Sequence, residues 1–335
     1  MRRLLTFGRV ALGIAVTAAF LPACAGSSGS TPAFTPGGNV SKPYSGSWMA
    51  PNSAGKNLLY VSDYDDVLVF DYATNDQVGK LTGFSEAYGS CTDAKGDVFV
   101  TNYGAADVLE FAHAGTKPIK TFIDPSPYAA DCSVDPTTGD LAVVNQYGKS
   151  EYSAGNVAIF PSGKGNPKVY SCSCISTYAS ATYDNRGDLL ASGSKSSALS
   201  FAILDSGSGE FKSVNLAHSG QWSYPGYVRW DGLYFDVEYQ VPYYQYPVVF
   251  MWYTIKGTTG TQEGYMLTEE SGEGGGPFWL GKIGGLKSVK RANQLAANIR
   301  DYGVLIWNYP RGGSYIFDLD EYGGNGITAS LRGNQ

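Results

Sequence analysis

One short arrangement of apolar positions keeps returning along this chain: three mostly apolar residues, then an aromatic. It reads Val67-Leu68-Val69-Phe70, Val108-Leu109-Glu110-Phe111, Val157-Ala158-Ile159-Phe160, Ala198-Leu199-Ser200-Phe201, Pro247-Val248-Val249-Phe250 and Val304-Leu305-Ile306-Trp307. The aromatics lie 41, 49, 41, 49 and 57 residues apart, and a recurrence at roughly 40–50 residues is the spacing of propeller blades. Gly, Asp and Asn turns separate the apolar runs and long helical periodicity is scarce, so the chain reads as all-β.

Asp93-Ala94-Lys95-Gly96-Asp97, Asp135-Pro136-Thr137-Thr138-Gly139-Asp140 and Asp184-Asn185-Arg186-Gly187-Asp188 are three versions of one turn. The first Asp side chain caps it, and the Gly supplies the positive φ it needs. A strand follows each turn (Val98-Phe99-Val100, Leu141-Ala142-Val143, Leu189-Leu190-Ala191) and often closes on Asp or Asn, as at Asp63, Asn102 and Asn145. The aromatic pattern is the next strand, and a more polar segment such as Pro118-Ile119-Lys120-Thr121-Phe122 completes the unit. Each unit is therefore expected to hold four antiparallel strands, a to d from the axis outward.

The Asp…Gly-Asp turn and the Leu58-Leu59-Tyr60-Val61-Ser62-Asp63 strand resemble those of NHL-repeat and TolB-like six-bladed β-propellers, over about residues 47–331. The likeness is clearest in the first three or four units. It fades after about residue 218, where the turn degenerates to Trp230-Asp231-Gly232 and a longer stretch, residues 284–300, precedes the last aromatic pattern. Tyr322-Gly323-Gly324-Asn325-Gly326-Ile327-Thr328-Ala329-Ser330 looks like an inner strand with nothing after it, whereas the first unit has only Ser47-Trp48-Met49 for its own. The expected fold is a six-bladed propeller closed by the C-terminal strand, which leaves no open sheet edge. Seven blades is the alternative.

The start of the chain gives an address. Arg2, Arg3 and Arg9 precede and flank an uncharged apolar run, Val10 to Leu21, and then Leu21-Pro22-Ala23-Cys24. A basic start, a short apolar stretch and a small residue before a cut describe a secretory signal. The Cys after the cut resembles a bacterial lipobox, which implies that residues 1–23 are removed and Cys24 carries lipid. Ala25 in the next position implies outer-membrane delivery. Residues 24–46, rich in Gly, Ser, Thr and Pro, read as a tether that cannot bury enough apolar area to fold, and residues 47–335 as the propeller domain. Taking the signal's three Arg from the chain's 24 basic residues leaves 21 against 30 acidic ones, net −9. With no basic patch either, nucleic acid is excluded as a partner class.

Four further cysteines, Cys91, Cys132, Cys172 and Cys174, allow three full pairings. Cys91 lies two residues before its turn Asp and Cys132 three before its own. That parity puts them on opposite faces of their strands and argues against a bond between them. A link from Cys132 to Cys172 or Cys174, and four free thiols, both stay open. Histidine is nearly absent: His113 sits in a turn and His218 in a connection between units. Neither zinc nor a His-dependent lyase has the ligands it needs.

Two functional readings follow. The resemblance implies that a metal-assisted lactonase or lyase would hold Ca²⁺ or another divalent cation on an amide and carboxylate cage, for which Asp63, Asn102 and Asn145 are the right residue types. Asp and Asn that close strands usually bond their own backbone. The preferred reading is a lipid-anchored binding or scaffold module of the cell envelope, without a cofactor, for a protein, peptide or glycan. Its best site is the Pro-rich stretch Tyr239-Gln240-Val241-Pro242-Tyr243-Tyr244-Gln245-Tyr246-Pro247. Its prolines make it a b–c loop, so Tyr239, Tyr243, Tyr244 and Tyr246 offer rigid amphipathic rings. The stretch Glu269-Glu270-Ser271-Gly272-Glu273-Gly274-Gly275-Gly276 reads as a solvated acidic loop.

Overall fold

The computed structural model describes residues 46–216, 226–239, 247–271, 274–282, 291–299, 303–319 and 325–332, all within the compact unit Ser41–Gln335. Its regular structure is strand, with two short 3₁₀ turns at Ser53–Gly55 and Pro161–Gly163. Strands β1 (Trp48–Met49), β2 (Leu58–Asp71) and β3 (Gln77–Thr92) open the domain. Both long strands serve twice. The second half of β2 pairs with the start of β3, and the end of β3 pairs with β4 (Val98–Asn102) in the next unit. That unit continues through β5 (Asp107–Phe111) and β6 (Pro118–Ile123).

The antiparallel pattern then repeats. The third unit is β7 (Ala129–Val134), β8 (Leu141–Tyr147), β9 (Ala154–Phe160) and β10 (Lys168–Tyr170). The fourth is β11 (Thr177–Tyr183), β12 (Leu189–Lys195), β13 (Ala198–Leu204) and β14 (Lys212–Leu216). Next come β15 (Val228–Trp230), β16 (Phe235–Tyr239), β17 (Pro247–Lys256) and β18 (Thr259–Ser271), then β19 (Gly274–Gly281), β20 (Gln294–Ile299), β21 (Gly303–Asn308) and β22 (Phe317–Leu319). The final strand, β23 (Gly326–Ser330), returns to the beginning and pairs antiparallel with Leu58–Ser62 of β2. The inner strands neighbour one another in the order β23, β3, β7, β11, β15, β19 and back to β23, so the units form a closed ring.

The apolar pattern has a simple cause. Each hydrophobic cluster lies between two adjacent units: Phe99, Val108 and Phe122 pack against Leu141, Val143 and Phe160, and Leu59, Val61 and Phe70 against Trp279, Val304 and Ile306. A sheet covered on both faces needs continuous apolar runs rather than alternation. The recurring aromatics Phe70, Phe111, Phe160, Phe201, Phe250 and Trp307 are all buried. The Asp turns form as expected: Asp93 Oδ1 accepts from the backbone N–H of Lys95 and Asp97, and Asp184 Oδ1 from Arg186 and Asp188. The degenerate Asp231 turn keeps the device, bonding Leu233 and Tyr234.

The C-terminal strand takes the inner place of the first unit, as expected, and Trp48–Met49 pairs with Lys80 and Gly79 of β3 as an outermost strand. Two sequence expectations are corrected. The acidic stretch is mostly strand, with Ser271 paired to Pro247 and Gly274 to Ile299, because main-chain pairing does not require apolar side chains. Cys91 and Cys132 are bonded, with Cα atoms 5.6 Å apart. Opposite parity is what such a bond needs, since stacked units meet front to back and the facing surfaces of two neighbours are opposite faces of their strands. Cys172 and Cys174 bond to each other instead of reaching Cys132.

Around the axis the strands come too close for side chains. A Cβ on Gly89 would lie 2.4 Å from the Ala130 carbonyl oxygen, and one on Gly326 2.0 Å from that of Tyr88. The returning strand is also held from the side: Ser330 Oγ donates to the Gly96 carbonyl at 2.6 Å and lies 2.6 Å from His113 Nδ1. Burial, then the Arg332 charge, lowers the His113 pKa below its ordinary 6.5. The unfolded chain therefore takes up this proton more readily. The stability His113 contributes is whole above about pH 6.5 and falls as the pH drops toward its lowered folded value. Urea midpoints at pH 7.5 and 5.5 should differ for the native protein, and by less in His113→Asn, which keeps a partner for Ser330 but cannot titrate. An equal drop in both would remove His113 from the pH response.

Candidate binding face

Antiparallel order divides the connections between two ends of the ring. The Asp…Gly turns emerge at one end. The connections from second to third strand, and from each unit to the next, emerge at the other. Asn102 ends β4 and Asn145 lies near the end of β8, both at that other end. Asn102 Oδ1 accepts from the backbone N–H of Ser85 at 2.7 Å and Glu86 at 3.1 Å, and its amide donates to Asp107 at 2.9 Å. The Asn145 amide donates to Asp124 and to Asn156, both at 3.0 Å. Burial lifts the Asp107 carboxyl to about 6 and that of Asp124 to about 7, against the lowering effect of these amides. The third residue proposed with them, Asp63, is held up by burial and by the nearby Asp66 and Asp65.

The next residues along the chain make the site. Tyr103 follows Asn102, and Gln146 and Tyr147 follow Asn145. Tyr103 and Gln146 are equivalent in successive units, each donating its backbone N–H to the residue that precedes an inner strand: Glu86 at 2.8 Å and Tyr128 at 2.9 Å. The Tyr103 hydroxyl donates to Gln146 Oε1 at 2.8 Å. Ring centroids step across the face from Tyr88 to Tyr103 (5.1 Å, stacked), Tyr128 (5.4 Å) and Tyr147 (5.5 Å, edge-on). All four rings are partly exposed, while Tyr64 on the same end is 57% exposed and Tyr152 99%. Burial, then crowding by Tyr88 and Tyr147, raises the Tyr103 phenol well above its usual range, so its hydroxyl is a neutral donor and acceptor. Aromatic pairs in such contact contribute about 0.5–1.5 kcal/mol each beyond their area, which holds the rings in place before any ligand arrives.

Residues from opposite sides of the ring meet beneath this face. Tyr227, just ahead of β15, interacts with Tyr88, and in the ring order β15 stands opposite β3. Deeper, Asp131, Ser180 and Arg229 from three successive inner strands form one network. Arg229 bonds both Asp131 oxygens at 2.8 and 3.1 Å, and the Ser180 hydroxyl donates to Asp131 at 2.5 Å. Arg229 also lies 5.9 Å from the Phe278 ring centroid. Near the other end, Arg291 packs 4.0 Å from the Trp252 centroid and 4.6 Å from that of Tyr309, and pairs with Asp231. Both clusters join strands of different units.

The residues expected to bind are placed differently. Tyr239 ends β16 and is buried, its hydroxyl 3.0 Å from that of Tyr253; the strand runs one position further than its prolines imply, so this ring is core. Tyr243, Tyr244 and Tyr246 lie outside the described residues, as do Cys24 and His218. Asn102 ends β4, Asn145 lies two residues before the end of β8 and Asp63 lies within β2, and the two Asn side chains are engaged in their own units. Among the described residues no group of three His, Cys, Asp or Glu side chains converges on a metal position. The sequence signal for the tyrosine arc is an aromatic one or two residues after the Asp or Asn (Tyr64, Tyr103, Tyr147).

No family model and no curated protein matches this sequence. Solved structures do match. A nidogen/laminin complex superposes with a TM-score of 0.62 at 9% identity, over 82% of this chain and 98% of that one. A protein of unknown function from Bacteroides caccae gives 0.57 at 9% identity, over 83% and 100%. The Swd1 β-propeller domain of Myceliophteria thermophila gives 0.53 at 13% identity, over 82% and 85%. The chain is a β-propeller. At these identities the likeness speaks to the fold alone, and propellers carry many functions. Stability of the propeller should depend on its axial ion pair. Arg229→Ala leaves Asp131 buried without its counter-charge and should cost about 3–5 kcal/mol in urea unfolding. Adding Asp131→Asn should recover part of that loss, and a double variant as unstable as the single one would remove the charge from the explanation.

Proposed function

We propose that this protein is an exported, lipid-anchored binding module of the cell envelope, whose protein or peptide partner docks on the tyrosine face of the propeller. The carrying observation is the arc Tyr88, Tyr103, Tyr128 and Tyr147, flanked by the exposed Tyr64 and Tyr152. Rings already packed against one another lose little freedom on binding, which favours affinity. Tyr is also among the residues enriched at binding hot spots. The NHL-like turns support the same reading, and so does a nidogen/laminin complex among the similar folds. Anchoring through Cys24, with residues 24–46 as a tether, would keep the propeller domain near the membrane that carries the lipid.

The test is site-specific photo-crosslinking of the full chain in intact bacterial cells. A crosslinker at Tyr64 or Tyr152 should capture a discrete partner, and one at Lys95, on the opposite end, should not. Tyr103→Ala should weaken that capture roughly 10–100-fold, while the loss of its two ring contacts costs the fold about 1–3 kcal/mol and leaves it assembled at the assay temperature. Capture from Lys95 alone would place the interface elsewhere. Calorimetric titration of Ca²⁺ into the same protein separates the metal-assisted reading: tight uptake abolished by Asn102→Ala and Asn145→Ala would replace the binding module with an enzyme. The anchor has its own check. Cys24→Ser should move the protein from the membrane fraction to the soluble extracytoplasmic fraction, and unchanged partitioning would remove the lipid.

A further inference from the structure

Residues 171–176 carry the chain from β10 to β11 on the tyrosine-bearing end of the propeller. Within them Cys172 and Cys174 are bonded to each other across a single residue, with Cα atoms 5.1 Å apart. Both cysteines are partly exposed and Ser173 between them is exposed. The other disulfide is a different object: Cys91 and Cys132 are 8% and 2% exposed and staple the inner strands of two blades, 41 residues apart in sequence. In the chain-entropy account, a disulfide that closes so short a loop constrains the unfolded chain far less than one closing a long loop. Holding the fold together is therefore a weak reason for Cys172–Cys174.

The turn does not need the bond for its shape. The Ile175 N–H donates to the Cys172 carbonyl at 3.1 Å and the Ser176 N–H to the Ser194 carbonyl at 2.8 Å. The Cys172 N–H donates to the Tyr178 hydroxyl at 2.6 Å, and the Lys195 ammonium to the Ser173 carbonyl at 2.6 Å. Two thiols released here stay side by side. They are also unequal. The Cys174 N–H points at Cys172 Sγ at 3.2 Å, and the Lys195 charge is anchored on the residue between them. A donor and a nearby cation favour thiolate over thiol, so Cys172 is the better leaving group.

We propose that Cys172–Cys174 is a thiol–disulfide exchange site that cycles with a thiol-bearing partner, whereas Cys91–Cys132 is a permanent staple. A partner thiolate attacks Cys174 Sγ. The S–S bond breaks, its electron pair leaves on Cys172, and Cys174 is held in a mixed disulfide. A second partner thiolate attacks the partner's sulfur in that mixed disulfide and releases the Cys174 thiolate, and water returns the protons. One protein disulfide and two partner thiols become a protein dithiol and one partner disulfide, a two-electron exchange that runs equally in reverse.

The native full chain is the material for the test. It is equilibrated with glutathione redox buffers and, in parallel, with reduced thioredoxin as a dithiol protein, then quenched with an alkylating reagent and mapped by mass spectrometry. The peptide carrying Cys172 and Cys174 should gain two alkyl groups at a reductant ratio at least about tenfold milder than the one that opens Cys91–Cys132. Oxidised glutathione should restore the disulfide. Lys195→Gln should slow opening several-fold. Opening by glutathione identifies small thiols as sufficient partners, and opening by thioredoxin alone identifies a protein dithiol. If both disulfides open together, or Cys172–Cys174 opens only on denaturation or fails to re-form, the proposal is wrong.

Discussion

Main-chain pairing between Leu58–Ser62 and Gly326–Ser330 holds together the two ends of the domain, and the rest of the interior depends on it. Every apolar cluster sits between two adjacent blades. Leu59, Val61 and Phe70 have no cover unless the last blade brings Trp279, Val304 and Ile306 against them. An open ring would leave one cluster facing water and one sheet edge unpaired, the condition that invites strand addition by other chains. The closing strand is accordingly tied on its other side too, through Ser330 to Gly96 and His113.

Closure crowds the axis, and the crowding sets the chemistry there. Gly89 and Gly326 permit an approach that any Cβ would block. Asp131, Ser180 and Arg229 bring polar groups together there: Asp131 is fully buried, Arg229 meets both of its oxygens and Ser180 donates a third bond. These paired groups brace the inner strands beneath the tyrosines.

The two disulfides show how much surroundings matter to identical bonds. Cys91–Cys132 joins neighbouring blades inside an apolar cluster, out of reach of solvent thiols. Cys172–Cys174 sits in a partly exposed turn whose hydrogen bonds already define it. One resists exchange because it is covered. The other is placed to exchange because its loss costs the fold little.

Much of the architecture was legible in the chain because its signals are local or repeated. The Val-Leu-Val-Phe runs mark strands buried on both faces, the Asp…Gly turns carry their own capping hydrogen bonds, and an unpartnered final strand points back to the first unit. What escaped was decided by how blades stack. Equal parity would favour a bond only within one sheet, and Cys91 and Cys132 instead face each other across an interface between blades. His113 gave no sign that a strand more than 200 residues away would supply its partner. Tyr88, Tyr103, Tyr128 and Tyr147 are scattered over 60 positions, and only the ring brings them into one arc. Sequence by itself determined the repeating unit, because turns and strands are set by neighbouring residues. Tertiary structure alone decided which surfaces those units present, because a contact between blades is a property of two sheets and is written in neither.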